Sequence, residues 1–414
     1  MIPRFEPTAG PGEILSFLKD VAFLHNRPGE ATREFEKSFA RYQGCEYAVF
    51  VPSGRVSLWL LLKALEYPAG SEIVLPAFTF FAMPAAVRFA GLTPVFADID
   101  PATYELTAES VRAVLTPRTR AVLPTHLFGR TCPLSDLQKI CGPAGIDVIE
   151  DCAQAFGAGI GGRKAGCVGR AACFTFGITK NFTTFSGGML ACGEKDVHGR
   201  IVEIMREFRG ASRSRLFKEG ITSLAMWMAT RRLLFNMFVA PVLRTSPSDG
   251  PDRVHTAFGE KTQGMNEETM RYLKWTPVDS QARAGMKQLL TLDAKNEARR
   301  RRGTELLRLM KQAGCERGLP APAGQDGDHI FMSFAVTRPD RYLFASRLRR
   351  HGVDVSPGYM NDCSGMKELG GDPGSCSVSQ AVERDILHLP MYPGLGDGDL
   401  RAIAGAMAAA DRDE

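Results

Sequence analysis

No C-x-x-C pair occurs among the ten cysteines of this 414-residue chain, which argues against a zinc site or a disulfide framework. Several of them lie inside apolar runs, as in Ala171-Ala-Cys173-Phe and Leu190-Ala-Cys192. They read as small buried hydrophobes of a reducing compartment, and no metal is expected. The start, Met1-Ile-Pro-Arg-Phe-Glu6, lacks the cationic region and apolar core of a secretory leader, so a cytoplasmic protein is expected. There is no RNP, finger or basic-zipper pattern, and the net charge of +5 is modest for this length, so nucleic acid is not an expected partner. No G-x-G-x-x-G follows the first expected strand, which removes a simple NAD-binding reading. Repeats and low-complexity tracts are absent as well.

What the chain does contain is ordinary globular material, 44% hydrophobic and 23% charged, long enough for two or three domains. Amphipathic helices over residues 11–45 precede a strand at Tyr47–Val51. Short apolar strands then alternate with helices: strands at 72–75, 93–97, 120–124 and 147–149, helices at 80–90, 107–115 and 134–141. This rhythm predicts an α/β fold with a large, mostly parallel sheet and helices on both faces. A long helix is expected from Asp279 to Met310, with Arg299–Arg302 as a solvated face. A β-α-β set at 330–336, 342–350 and 352–355 and a closing helix to Ala410 predict a smaller C-terminal α/β domain. The division is drawn between a large domain, 1–255, and a small one, 256–414.

Residues 206–253 break the rhythm. Two apolar runs, 221–229 and 233–243, flank Arg231-Arg232, and each is about half of the roughly 20 residues that cross a bilayer. A helix continuing through the arginine pair would line up Leu224, Met228, Phe235, Phe238 and Val242. The preferred reading is a wall at the entrance of a site, with Arg231 and Arg232 holding a phosphorylated substrate. Contact with an anionic membrane is the less favoured alternative.

Ligands of such sheets collect at the carboxyl ends of the strands, and there the chemistry-bearing residues fall. Ser53-Gly54-Arg55 sits between a strand and a helix, where free N–H groups suit a phosphate. Phe80, His126 and Asp151 follow later strands. Phe174-Thr-Phe-Gly-Ile-Thr-Lys180-Asn, with Gly187-Gly188 beyond, presents one lysine just past a strand. Burying an ammonium is costly without a task, and one such task is a Schiff base with a carbonyl, as in pyridoxal phosphate (PLP) enzymes. A buried Asp151 needs a cationic partner, which a pyridinium nitrogen supplies. The plain alternatives are a loop-tip lysine and a helix-capping aspartate.

The order V-P-S-G-R at 51–55, P-A-F-T-F at 76–80, H-L-F-G at 126–129, E-D-C-A-Q-A at 150–155 and T-K-N at 179–181 resembles the DegT/DnrJ/StrS aminotransferases. D-S-Q-A-R-A-G-M-K-Q-L at 279–289 and L-H-L-P-M-Y-P at 387–393 extend the likeness from about residue 10 to 408. The resemblance implies a fold-type-I PLP enzyme, usually a homodimer with shared active sites. It would move an amino group from glutamate or glutamine to a keto group on a nucleotide-linked sugar. It further implies Lys180 as the cofactor-bound lysine and proton shuttle, Asp151 on the pyridine nitrogen, Phe80 stacked on the ring and Gln154 near its phenolic oxygen. Ser53, Gly54, Arg55 and Thr175 would hold the phosphate. Arg55 replaces the family's usual threonine and Thr175 its serine. Lys274, in Arg271-Tyr-Leu-Lys274-Trp275, takes by its spacing to Gln281 the position of an asparagine that reaches the neighbouring subunit's phosphate. Two other readings stand beside this one: a PLP-binding regulator or scaffold without turnover, and an enzyme of the same fold acting on a lipid-linked or cyclitol substrate. A dehydratase of the same fold carries histidine in place of the lysine, so Lys180 argues against it.

Overall fold

Successive residues of the central strands face opposite cores, and this parity organises the molecule. The computed structural model describes residues 1–23, 27–251, 273–322 and 327–413. Helices α1 (Pro11–Phe23) and α2 (Glu30–Gln43) lead into β1 (Tyr47–Val51), α3 (Gly54–Leu65), β2 (Glu72–Pro76), the short β3 (Phe78–Thr79), α4 (Ala82–Phe89) and β4 (Thr93–Ala97). Then come α5 (Ala108–Val114), β5 (Thr119–Val122), α6 (Leu134–Cys141), β6 (Asp147–Asp151), a two-residue pair β7 (Gly159–Ile160) and β8 (Arg163–Lys164), β9 (Ala171–Thr175), β10 (Gly188–Cys192) and α7 (Lys195–Met205). Seven strands form one sheet in the order β1-β10-β9-β6-β5-β2-β4. Neighbours from β9 to β4 run parallel, and β10 alone runs antiparallel to both strands it joins.

On β1, Val49 and Val51 enter a core shared with α3, α4 and α7, while Ala48 and Phe50 enter one shared with α2 and α6. Ile73 and Leu75 against Val74, Cys173 against Phe174, and Leu190 against Met189 divide in the same way. Both faces are therefore buried, as a parallel sheet with helices on each side requires. Local chemistry sets the element ends. Ser53 caps α3, Thr107 and Ser110 form a capping box on α5, and Gly44 ends α2 at φ 83°, a left-handed conformation that suits glycine.

The long helix, Asp279–Gln312, runs from the second core to a separate cluster built with Phe334–Thr337, Arg341–Arg350, Ile386–Leu389 and Asp397–Arg412. The helices expected here are present, but the β-α-β set is not. Phe334–Thr337 pairs antiparallel with Ile386–Leu389, and Val353 makes only an isolated bridge, to Ile2. A strand partner more than 50 residues away supplies the pairing that local periodicity assigned to 352–355. The proposed division at 255/256 lies outside the described residues, as do Arg271 and Tyr272.

Two further expectations change. Arg299 is not solvated. It is buried, its Nη2 lies 3.5 Å from Thr8 Oγ1, and burial lowers its pKa to about 10. Arg301 is exposed beside Glu297. The helix of the 206–253 segment does not continue through the arginine pair either. Helix α8 (Arg213–Ala229) ends at Thr230, Arg231 is extended (φ −66°, ψ 125°), and a short helix restarts at Arg232. Its next turn, Phe235–Val239, is π-helical just before Pro241, which lacks an N–H for the regular ladder. Among the described residues no helix is long and apolar enough to cross a membrane.

Two histidines at the edge of the C-terminal cluster give the fold a pH dependence. Burial is the main cause that lowers His329 and His388 to about 3, aided by Arg130 at the first and Arg341 at the second. His388 Nδ1 shares a hydrogen bond with Ser333 Oγ at 2.7 Å, and its Nε2 has no partner among the described residues. Below about pH 6.5 the unfolded chain binds protons that the folded chain excludes. Stability is thus full above that pH and falls as pH drops toward 3, by up to about 1.4 kcal/mol per unit for each ring. At about pH 5 the pair is expected to cost roughly 4 kcal/mol. Urea unfolding at neutral pH and at about pH 5 checks this. His329→Gln with His388→Gln should flatten the difference, and an undiminished acid loss in that variant refutes the assignment.

Candidate functional site

The carboxyl ends of β1, β2, β6 and β9 converge on one place, and each delivers a residue singled out by sequence. Only Pro52 and Ser53 separate β1 from α3, so the N–H groups of the helix's first turn point out of the sheet with few internal partners. Ser53 sits at that N-cap and its Oγ accepts from Val56 N–H at 3.4 Å. Gly54 packs against Thr175 so closely that an added Cβ would lie 3.1 Å from Thr175 Cβ. Gly188 on β10 is tighter: a Cβ there would come within 2.3 Å of Phe174 O and 3.2 Å of Gly54 N. Glycine at 188 thus lets β10 press the α3 start against β9. The result is a cradle of hydroxyls and amides from Ser53, Gly54, Arg55 and Thr175. The Arg55 guanidinium lies 6.0 Å from the Phe80 ring centroid, which puts that half-buried ring beside the cradle. Lys274 rests over Trp59, one helical turn beyond Arg55 on α3, at 5.6 Å.

Asp151 ends β6 and is buried. Burial raises its pKa, against the Ala153 N–H bond and the charges of Lys180 and His126. Ala153 N–H donates to Oδ1 at 3.0 Å, and among the described residues Oδ2 accepts nothing. Thr125 pairs with Asp151 across the parallel bridge between neighbouring strands, and its buried Oγ1 has no hydrogen-bond partner among the described residues. A buried carboxylate with an open oxygen, next to an orphaned hydroxyl, is a site for a cationic or donating ligand.

Lys180 lies on the turn after β9, and the sequence around it explains the turn's rigidity. Phe176 and Phe182 flank it, with ring centroids 4.7 Å apart, and sink into a cluster with Phe35, Phe39, Phe156 and Phe174. Truncating such a buried ring to alanine costs about 3–5 kcal/mol. Asn181 donates to Phe156 O at 2.8 Å and to Asn296 Oδ1 at 3.1 Å on the long helix. Thr184 N–H donates back to Phe176 O, and Thr8 Oγ1 donates to Lys180 O at 2.7 Å. The lysine backbone is tied on every side while its side chain stays half-buried.

Gln154 Oε1 accepts from Phe128 N–H at 3.0 Å and from Tyr359 OH at 3.2 Å, leaving its Nε2 against Met360 Sδ at 3.7 Å. Phe128 reaches this bond from a left-handed backbone (φ 57°), a strain of the kind found around ligand sites. His126 turns away from the cluster. Its Nδ1 accepts from Cys132 N–H at 2.9 Å, so Nε2 donates to Glu150 Oε2 at 3.0 Å. Burial works to raise the Glu150 pKa, yet His126 and the N–H groups of Gly169 and Gly166 bring it below the usual carboxylate range. Glu150 therefore fixes the loop after β8 and takes no part in the site. Cys152 lies close by, but both ring nitrogens of His126 are already committed to the protein.

Sequence reasoning missed Thr125, Phe128, Tyr359 and Thr8. Thr125 was within reach, because it precedes His126 at a strand end. Tyr359 and Thr8 come from distant segments and carry no local signal.

The donor set fits PLP: amides and hydroxyls for a phosphate, a ring to stack, an open buried carboxylate and a lysine. The model of the DegT/DnrJ/EryC1/StrS aminotransferase family matches residues 18–227 and 263–408. A UDP-N-acetyl-3-dehydro-alpha-D-glucosamine 3-aminotransferase from Acidithiobacillus ferrooxidans is 37% identical over 199 residues, or 48% of this chain and 52% of that one. The chain thus spans about half the length of that curated relative. A dTDP-3-amino-3,4,6-trideoxy-alpha-D-glucose transaminase from Micromonospora megalomicea subsp. nigra is 28% identical over 373 residues, covering 89% of this chain and 86% of the relative. Among solved structures, S. venezuelae DesV in complex with a ketimine intermediate superposes with a TM-score of 0.73 at 25% identity, over 96% of this chain and 93% of that one.

Proposed function

The chain belongs to the DegT/DnrJ/EryC1/StrS aminotransferase family, and from that premise we propose that it is a PLP-dependent aminotransferase acting on a keto group of a nucleotide-linked sugar. The observation that carries the reading is Asp151 with Lys180: a buried carboxylate with an open oxygen, held within electrostatic reach of a rigidly mounted lysine. Bound PLP supplies an electron sink for cleaving and forming C–H bonds beside nitrogen. The protein's residues do the rest. Ser53, Thr175 and the N–H groups of Gly54 and Arg55 bind the phosphate, with the Arg55 side chain as a charged fork. Phe80 sets the ring plane. Asp151 keeps the ring nitrogen protonated, and Gln154 Nε2 donates toward the phenolic oxygen. Lys180 Nζ holds the cofactor at rest and carries the proton between donor or acceptor carbon and the ring side of the site. Over the two half-reactions one water supplies the keto oxygen of the spent donor and one is released from the acceptor's carbonyl, so that glutamate or glutamine and the keto compound exchange amine nitrogen and carbonyl oxygen with no net water and no external oxidant or reductant.

Two subunits are proposed to share each site, Lys274 of one reaching the phosphate of the other. The deciding experiment incubates the PLP-loaded protein with keto nucleotide sugars and donors labelled with heavy nitrogen at the amine. A nucleotide amino sugar carrying the label is the expected product. If the loaded enzyme transfers label to none of them, the sugar assignment is wrong.

A further inference from the structure

Helix α8 is built inside out. Its inner face is Leu216, Gly220 and Ser223, and the approach to α1 is so close that a Cβ on Gly220 would lie 2.5 Å from Leu18. Its outer face carries Phe217, Ile221, Ala225 and Met228, spaced to form one stripe. After the break at Thr230–Arg231 the pattern repeats. Phe235, Ala240 and Leu243 turn inward, and Leu233 (73% exposed), Phe238 (63%), Met237 (55%) and Val242 (41%) turn out. Most of the exposed large apolar side chains among the described residues fall in this one stretch. An apolar face of this extent marks an interaction surface.

Both arginines of the pair are committed to carboxylates of this chain. Arg231 is ion-paired with Glu6 and lies 4.7 Å from the Trp227 ring, and Arg232 pairs with Asp399 at 2.9 Å. These contacts brace the segment against the N-terminal strap and the C-terminal helix, so that its apolar side faces outward. Charge indicates what covers that side. From residue 206 to 244 the sequence has eight basic and two acidic residues; Arg206, Arg215, Arg231 and Arg232 are ion-paired within the chain, and the rim is carried by the exposed Arg209, Lys218 and Arg244. Lys218 is exposed beside Phe217, and Arg244 is exposed just beyond Val242. A second copy docked about a two-fold axis would set this cationic rim against itself, whereas an anionic lipid surface complements both its charge and its apolar stripe.

We propose that α8 and the segment Arg232–Arg244 together form a peripheral docking surface for an anionic membrane, the apolar stripe entering the interface and the basic rim meeting lipid phosphates. This surface is independent of the reaction assigned above.

Co-sedimentation of the PLP-loaded protein with equimolar phosphatidylglycerol–phosphatidylcholine vesicles tests it, with phosphatidylcholine vesicles as control. Binding to the mixed vesicles is expected, weakened at least about tenfold by high salt, by Lys218→Glu, and by Leu233→Ser with Phe238→Ser. Light scattering should give the same mass for all variants. Lys218→Glu lies on the surface of a helix and keeps the test open if the double variant fails to fold. No binding, equal binding to both vesicles, or a drop in mass in either variant overturns the proposal, the last by marking a contact between copies.

Discussion

Lys180→Ala is expected to fold, to lose yellow colour and borohydride-fixable cofactor, and to lose amino transfer by about 10^4-fold. The turn carrying it is secured by Asn181, Thr184, Thr8 and the phenylalanines on either side, none of which needs the ammonium. Removing the side chain takes away both the covalent hold and the proton carrier. Peptide mapping after borohydride reduction of the wild type should find the cofactor on residue 180, and label on any other lysine sinks the assignment. The same variant tests the shared site. Mixed and reassociated with Lys274→Ala, it should regain about a quarter of wild-type activity, because half the dimers then have one intact site of two. No recovery would return Lys274 to its own chain, next to Trp59.

Asp151→Asn separates binding from chemistry. The amide oxygen still accepts from Ala153 N–H, so local structure and cofactor content should hold, and removing a buried charge does not harm the fold. What is lost is the negative charge that holds a ring nitrogen protonated, and with it the ring's capacity to take up electrons. A fall in kcat of about 10^2–10^3 is expected, with little change in cofactor affinity. An altered absorbance spectrum of the bound cofactor provides a readout apart from turnover. Near-normal kcat would remove Asp151 from the reaction.

The sheet and the strand-end residues were legible because each rests on a short-range signal: apolar alternation for the strands, and small or hydroxylated residues where the chain turns. Ser53, Gly54, Arg55, Phe80, Asp151 and Lys180 could be found in this way, whereas Gln154 and Thr175 followed only from the family resemblance; the structure sets Gly54 against Thr175, Arg55 near Phe80 and Asp151 within electrostatic reach of Lys180. The missing parts depend on contacts between distant segments. Ile386–Leu389 becomes a strand through Phe334–Thr337, Val353 touches Ile2, and Arg299 is covered by the strap containing Thr8. Tyr359 reaches Gln154 from the C-terminal side. On the 206–253 segment, periodicity identified helices but not which side faced out. That depended on Gly220, whose missing side chain admits α1.

The two-sided parity of the sheet also bears on how this lineage can change. A residue inserted between Ala171 and Thr175 would exchange the contents of both cores and carry Lys180 out of line with Asp151, since a strand's side chains alternate without slack. Gain and loss of length are therefore confined to the connections, and α8 with Arg232–Arg244 lies within such a connection. Ancestors could add, lengthen or discard that appendage without disturbing the reacting groups. Where in the cell the chemistry happens can thus evolve separately from the chemistry itself.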